Sequence, residues 1–291
     1  MNKKSPKTPR GTVVLYHADC ADGFGAAWAA WKKLGKKAAY IPVPPSNREL
    51  PSIAEGKHVI TLDYSFPADA VEGVLKKVAS LTVLDHHATN AEAAARATAS
   101  SFDLTHSGAV ISWKYFHPDK KIPRMLLHIE DYDLWKFALS KTRELIEAIL
   151  QEDMNFEEWD KLVRGVENKE IHKRYVMEGA ALLRRMEKRV GRLASSAEEV
   201  NFEGHKALMV NSPFYTSEVG HALVRKGAPV AIIWSRRGKK VIVSLRSSGK
   251  VDVARLAERY GGGGHKAAAG FSFEAPKLVT FKKSRKNRKK D

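Results

Sequence analysis

At 291 residues, with 43% hydrophobic and 29% charged residues, the chain can form one large or two ordinary globular domains, and the balance excludes a disordered protein. Its longest apolar runs, residues 26–31 and 230–234, are too short to span a bilayer, the basic N-terminus leads into no cleavable apolar segment, and a single cysteine, Cys20, rules out an intrachain disulfide. The short apolar runs and the missing leader predict a cytoplasmic chain with no membrane contact, and the net charge of +17 suits a polyanionic partner, although ten of those charges sit in residues 1–10 and 282–291, where solvated tails are the plainer reading.

Residues 12–16 (TVVLY) form a short β-rich run, and residues 23–34 follow with helical spacing. A second run, 57–62, ends at Asp63; an amphipathic helix is expected over 68–79, and a third strand over 81–84 ends at Asp85. This rhythm predicts an α/β fold, a parallel sheet flanked by helices, in which ligands bind beyond the carboxyl ends of the strands. From 156 to 200 the composition shifts to Lys, Arg, Glu, Ala and Leu, with one long helix expected over 171–193 as a connector. Strands at 206–210, 230–234 and 240–245 and a helix over 252–259 predict a smaller α/β second domain. The expected division is a basic tail (1–10), a catalytic domain (11–155), a helical connector (156–200), a substrate-binding domain (201–278) and a second basic tail (279–291).

The strand ends carry the chemistry. His17, Asp19, Asp22, Asp63, Asp85, His86 and His87 offer imidazole and carboxylate groups from three strands, a mixture suited to Mn²⁺, Fe²⁺ or Zn²⁺. A lone Asp at a strand end is ordinarily a helix cap and a lone His a surface group, but so many acids at one place would repel one another without cations. Four consecutive glycines, 261–264, offer backbone N–H groups to a phosphate, with His265 beside them and a helix expected to start over 266–269; a plain turn is the alternative. Arg246 can fork two donors onto a phosphate.

Asp85-His86-His87 preceded by Asp63, YHADCADGFGAAW at 16–28, HIEDYDLW at 128–135, SLRSS at 244–248 and GGGGHKAAAG at 261–270 together resemble the DHH phosphoesterase superfamily with its DHH-associated C-terminal domain, over residues 11–275. The resemblance implies that His17, Asp22, Asp63, His86 and Asp131 hold two divalent cations, Mn²⁺ first, with Mg²⁺, Co²⁺ or Zn²⁺ as alternatives. It further implies that Asp63 bridges them, that Asp85 orients its neighbours, and that His87 contacts the scissile phosphate. Asp133 is the weaker choice beside Asp131. The first motif departs from the usual D-x-D pattern, because Cys20 stands at its first acid: Cys20 is a ligand, or Asp19 compensates, or the thiol is inert. In the second domain Arg246, Gly262, Gly263, Gly264 and His265 would bind the substrate.

The expected activity is two-metal hydrolysis of short RNA or DNA oligonucleotides, nanoRNA above all, and of nucleotide 3′,5′-bisphosphates. The alternatives are a cyclic or linear dinucleotide phosphodiesterase, a RecJ-like single-strand exonuclease, and a nucleic-acid-binding protein with a degenerate site. The sequence leaves a homodimer open.

Overall fold

The structure, a computed structural model, describes residues 11–44 and 47–275; both basic tails lie outside the described residues. The chain divides into two compact units, Met1–Arg189 and Val190–Asp291.

The first unit opens with β1 (Thr12–His17), α1 (Ala21–Leu34), β2 (Ala38–Val43), β3 (His58–Leu62), α2 (Ala68–Leu75), β4 (Ser80–Asp85), α3 (Ala91–Arg96) and β5 (Ala99–Phe102). The strands form one parallel sheet in the order β2-β1-β3-β4-β5. Along β1, Val13 and Leu15 enter one buried cluster and Val14 and Tyr16 the other, so both faces of the sheet are covered. Helix α2 is shorter than its amphipathic pattern, because residues 76–79 turn back to feed β4. Lys77 N–H bonds the Val74 carbonyl at 2.8 Å and Ala79 N–H the Lys57 carbonyl at 2.9 Å.

Five helices follow: α4 (Gly108–Phe116), α5 (Arg124–Asp133), α6 (Thr142–Ile149), α7 (Phe156–Glu167) and α8 (Lys169–Ser195). The helical stretch expected as a connector breaks at Asn168, whose side chain caps α8 by accepting from the backbone N–H of Glu170 and Ile171 at 3.0 and 3.1 Å. Helix α7 packs into the first unit's core. Its Trp159 meets Phe24 edge-on at 4.7 Å, and Phe24 stacks on Phe156 at 5.0 Å.

Gly179, in the middle of α8, stands against α6: a β-carbon there would lie 1.7 Å from the Glu144 carbonyl oxygen. Alanine ordinarily gains about 1 kcal/mol over glycine inside a helix. Here Gly179→Ala should instead destabilise the chain by roughly 2 kcal/mol, since the obstacle is backbone and the helices must separate. Urea unfolding of the two proteins checks the sign.

The second unit contains β6 (Glu198–Phe202), β7 (His205–Asn211), α9 (Thr216–Arg225), β8 (Val230–Arg237), β9 (Lys240–Arg246), α10 (Val253–Glu258), β10 (Gly263–His265) and β11 (Ala268–Glu274). Its sheet is mixed, ordered β10-β11-β9-β8-β7-β6, with β7 and β8 parallel and the other neighbours antiparallel. Asp252 caps α10 through the N–H groups of Ala254 and Arg255, as the expected start of that helix requires.

No helix expected over 266–269 is present. That segment is a tight turn and the start of β11, where Ala268 and Ala269 pair with Arg246 and Leu245. The alanine run reads as helical by propensity, yet it pairs into the sheet between β10 and β9. A β-carbon at Gly262 would lie 2.1 Å from the Gly270 carbonyl oxygen, and Gly264 has φ of 140°. The glycines therefore serve the hairpin, and no helix dipole adds to a phosphate site at this point.

Candidate metal centre

The carboxyl ends of β1, β3 and β4 bring His17, Asp63, Asp85, His86 and His87 together, and the start of α1 adds Cys20 at its N-cap and Asp22 in its first turn. Asp63 leaves β3 with left-handed backbone (φ 52°), its N–H bonded to the Leu84 carbonyl at 2.9 Å, a conformation that a short polar side chain tolerates better than most. Its two carboxylate oxygens point opposite ways. Oδ2 lies 3.2 Å from His17 Nδ1, and Oδ1 lies 3.1 Å from His86 Nε2.

Asp22 is held from the far side by the start of α4, where Gly108 N–H and Ala109 N–H donate to its two oxygens at 2.7 and 2.9 Å. Gly108 has no room for a side chain: a β-carbon would lie 2.6 Å from Asp63 Cβ and 3.0 Å from Asp22 Oδ2. Gly23 is equally confined, 2.3 Å from the His17 carbonyl oxygen by the same measure. The sequence reading had missed Gly108, although Ser107 ahead of the apolar run 108–113 is a recognisable helix cap, and its hydroxyl accepts from Val110 N–H.

Asp85 is fully buried and orients the pair of histidines that follows it. Its Oδ1 accepts from His86 N–H at 2.7 Å, His87 N–H at 3.1 Å and His87 Nδ1 at 2.8 Å, and its Oδ2 accepts from Asn90 at 2.6 Å. Burial alone would raise this carboxyl, but the charge and hydrogen bond of His87 hold it below the usual carboxylate range.

The structure corrects one expected residue. Asp131 faces away from the cluster and anchors the loop after α5, accepting from Ala138 N–H at 2.7 Å, Leu139 N–H at 3.1 Å and the Thr142 hydroxyl at 2.6 Å. Asp133, two residues on, takes the place beside His86, with Oδ2 3.6 Å from its Nε2, in a group with Asp22. Two residues turn a helix by about 200°, so the acids point to opposite sides. Asp19 is exposed, with φ of 55°, and joins none of the ligand groups among the described residues.

Among the described residues the donors fall into overlapping groups, among them His17, Cys20 and Asp63; Asp22, His86 and Asp133; and Asp63, Asp85, His86 and His87. Burial, reinforced by the charges of Asp63 and Asp133, pushes the Asp22 carboxyl well above the usual range. Burial would lower the two imidazoles, but their bonds to Asp63 outweigh it and raise His17 to about 11 and His86 to about 10. In the metal-free protein these protons offset the carboxylate charge. Divalent cations would do so better, and the donor set fits them.

In the second unit, β10, β11 and β9 set His265, Ala268 and Arg246 in one cross-strand row. Directly paired residues share a sheet face, so the small Ala268 separates an imidazole from a guanidinium. The Arg246 side chain is fixed by a bond to the Ser217 hydroxyl at 2.9 Å and lies against Gly220, where a β-carbon would come within 2.5 Å of Arg246 Cγ. His221 nearby is pushed down to about 4 by burial and by the charges of Arg246 and Arg225.

Residues 218–288 match the DHHA1 domain family. The parallel sheet followed by a mixed sheet is the architecture in which that domain accompanies a DHH domain. The second unit thus carries a DHHA1 domain. An exopolyphosphatase-related protein from Bacteroides fragilis shares the fold, with a TM-score of 0.51, 13% identity, and coverage of 91% of this chain and 87% of that one. The pGpG-specific phosphodiesterase PggH from Vibrio cholerae is similar at a TM-score of 0.49 and 15% identity, over 90% and 93% of the two chains. Among curated sequences, the uncharacterized protein R106 of Acanthamoeba polyphaga mimivirus is 29% identical over 290 residues, spanning 91% of this chain and 68% of that protein. No helix among the described residues is long and apolar enough to cross a membrane.

Proposed function

We propose that the chain is a metal-dependent phosphodiesterase that hydrolyses short oligonucleotides from an end, and also nucleotide 3′,5′-bisphosphates, with two divalent cations, Mn²⁺ foremost. One observation carries this reading: Asp63 turns its two oxygens toward His17 on one side and His86 on the other, the disposition a bridging carboxylate needs. His17, Cys20 and Asp63 would hold one cation, and Asp22, His86 and Asp133 the other. When bound, such a pair supplies Lewis-acid activation of water and neutralises charge on a phosphoryl group.

The remaining work falls to the chain's own side chains. Asp85 fixes the His87 ring through Nδ1; burial would lower this imidazole, but the charge and hydrogen bond of Asp85 raise it above its ordinary value. A protonated His87 can stabilise phosphoryl oxygens as negative charge builds on them. Gly108 and Ala109 keep Asp22 in place by backbone donation. In the DHHA1 domain, Arg246 and His265 would flank a terminal phosphate above Ala268, with Gly262, Gly263 and Gly264 as the adjoining backbone. That grip on an end favours short substrates.

The test is hydrolysis of a 5′-labelled RNA series, from two nucleotides to about twenty, with Mn²⁺ and with chelator. Mn²⁺-dependent cleavage strongest on the shortest members is the expected result, and Arg246→Ala should raise KM on them by about tenfold or more. Equal cleavage at every length, or an unchanged KM in the variant, would overturn the end-gripping reading. Cleavage confined to cyclic dinucleotides would transfer the site to that substrate class.

A further inference from the structure

Within that two-metal reading, the two positions present different chemistry. One offers imidazole, thiol and carboxylate from His17, Cys20 and Asp63, and the other offers carboxylate, imidazole and carboxylate from Asp22, His86 and Asp133. In the first group a ring nitrogen, the Cys20 sulfur and a carboxylate oxygen all lie within 4.8 Å of one another. We infer that Cys20 is a metal ligand and that the pair of sites is chemically unequal, with a thiophilic cation such as Zn²⁺ selected at the His17–Cys20–Asp63 position and a harder one such as Mn²⁺ at the other.

Cys20 bonds His17, a member of the same group, through its side chain, which does not serve the helix. It occupies the N-cap position of α1, where Ser, Asp or Asn would stabilise the helix, yet its side chain makes no capping hydrogen bond. It is half-buried, between the end of β1 and the first turn of α1, beside His17 and Asp63. Asp63 belongs to this group and also touches His86 of the other, so it is the one carboxylate common to both positions. A hard oxygen at position 20 would make the two positions nearly alike. The sulfur breaks that symmetry.

Cobalt reads the ligand directly. The full chain, freed of metal by chelator, is titrated with Co²⁺ while its absorption is followed. A sulfur ligand gives an intense near-ultraviolet thiolate-to-cobalt charge-transfer band, which should saturate at the first equivalent, the second adding only weak visible absorption. Cys20→Asp should bind two equivalents and lack that band. Two cobalt ions bound to wild type without it would overturn the thiolate assignment and leave the two-metal reading standing. No cobalt bound to wild type would overturn both. A second measurement needs no variant: the wild-type chain, dialysed with one equivalent of Zn²⁺ and excess Mn²⁺, should retain one of each. Two manganese ions and no zinc would overturn the inferred selectivity.

Discussion

Asp63→Asn should lower kcat/KM for Mn²⁺-dependent hydrolysis by about 10³-fold, a loss of roughly 4 kcal/mol of transition-state stabilisation. The substitution keeps the size of the side chain and removes the charge that His17 and His86 share, so both of the proposed cations would lose a ligand at once. Metal titration should show weakened binding at both positions rather than at one. The same change has a signature in chelator. In wild type, burial lowers His86, but the Asp63 bond and the surrounding acids raise it to about 10 from the ordinary 6.5. A raised imidazole contributes stability that is full below about pH 6.5 and is lost as pH rises through about 10. Thermal unfolding of the metal-free protein should therefore show a decline across that window in wild type and a flatter profile in Asp63→Asn. Full activity in the variant would remove the bridging role.

Asp131→Asn and Asp133→Asn should fail in opposite ways. Asp131 accepts from two backbone N–H groups and one hydroxyl, and an amide has only one accepting oxygen. Its loss should cost roughly 2–4 kcal/mol and lower Tm by about 5–10 °C. Asp133 is exposed and close to His86, so its substitution should leave Tm nearly unchanged while reducing activity by about a hundredfold and weakening metal binding. Differential scanning calorimetry beside metal titration separates the two effects. The reverse outcome, metal lost with Asp131 and stability lost with Asp133, would restore the assignment that the sequence suggested.

That exchange shows where sequence reading reaches and where it stops. Strands β1, β3 and β4 were legible because apolar, β-branched runs end abruptly at His17, Asp63 and Asp85, and a parallel sheet concentrates its ligands at those ends. Strand β2 was hidden by Pro42 and two alanines, and β5 by two serines at the sheet edge. In HIEDYDLW the acids are plain, but which one faces the site depends on the rotational phase of α5, which tertiary packing sets. The alanines after His265 favour a helix locally, and only their pairing with β9 makes them a strand. Gly108 carries no chemical group to notice; its value is the space it leaves between Asp22 and Asp63.

The left-handed backbone at Asp63 also limits how this site can drift. Position 63 makes two separate demands, a main-chain conformation that costs most residues about 1–3 kcal/mol and a negative charge at short reach. Glycine and asparagine meet the first demand without the second, and glutamate carries the charge on a longer arm at a backbone angle it holds poorly. Aspartate alone meets both. On the proposed two-metal reading, variation that retunes metal choice would be channelled to other positions, and Cys20, on a backbone of ordinary extended geometry, is one that can change without disturbing the turn.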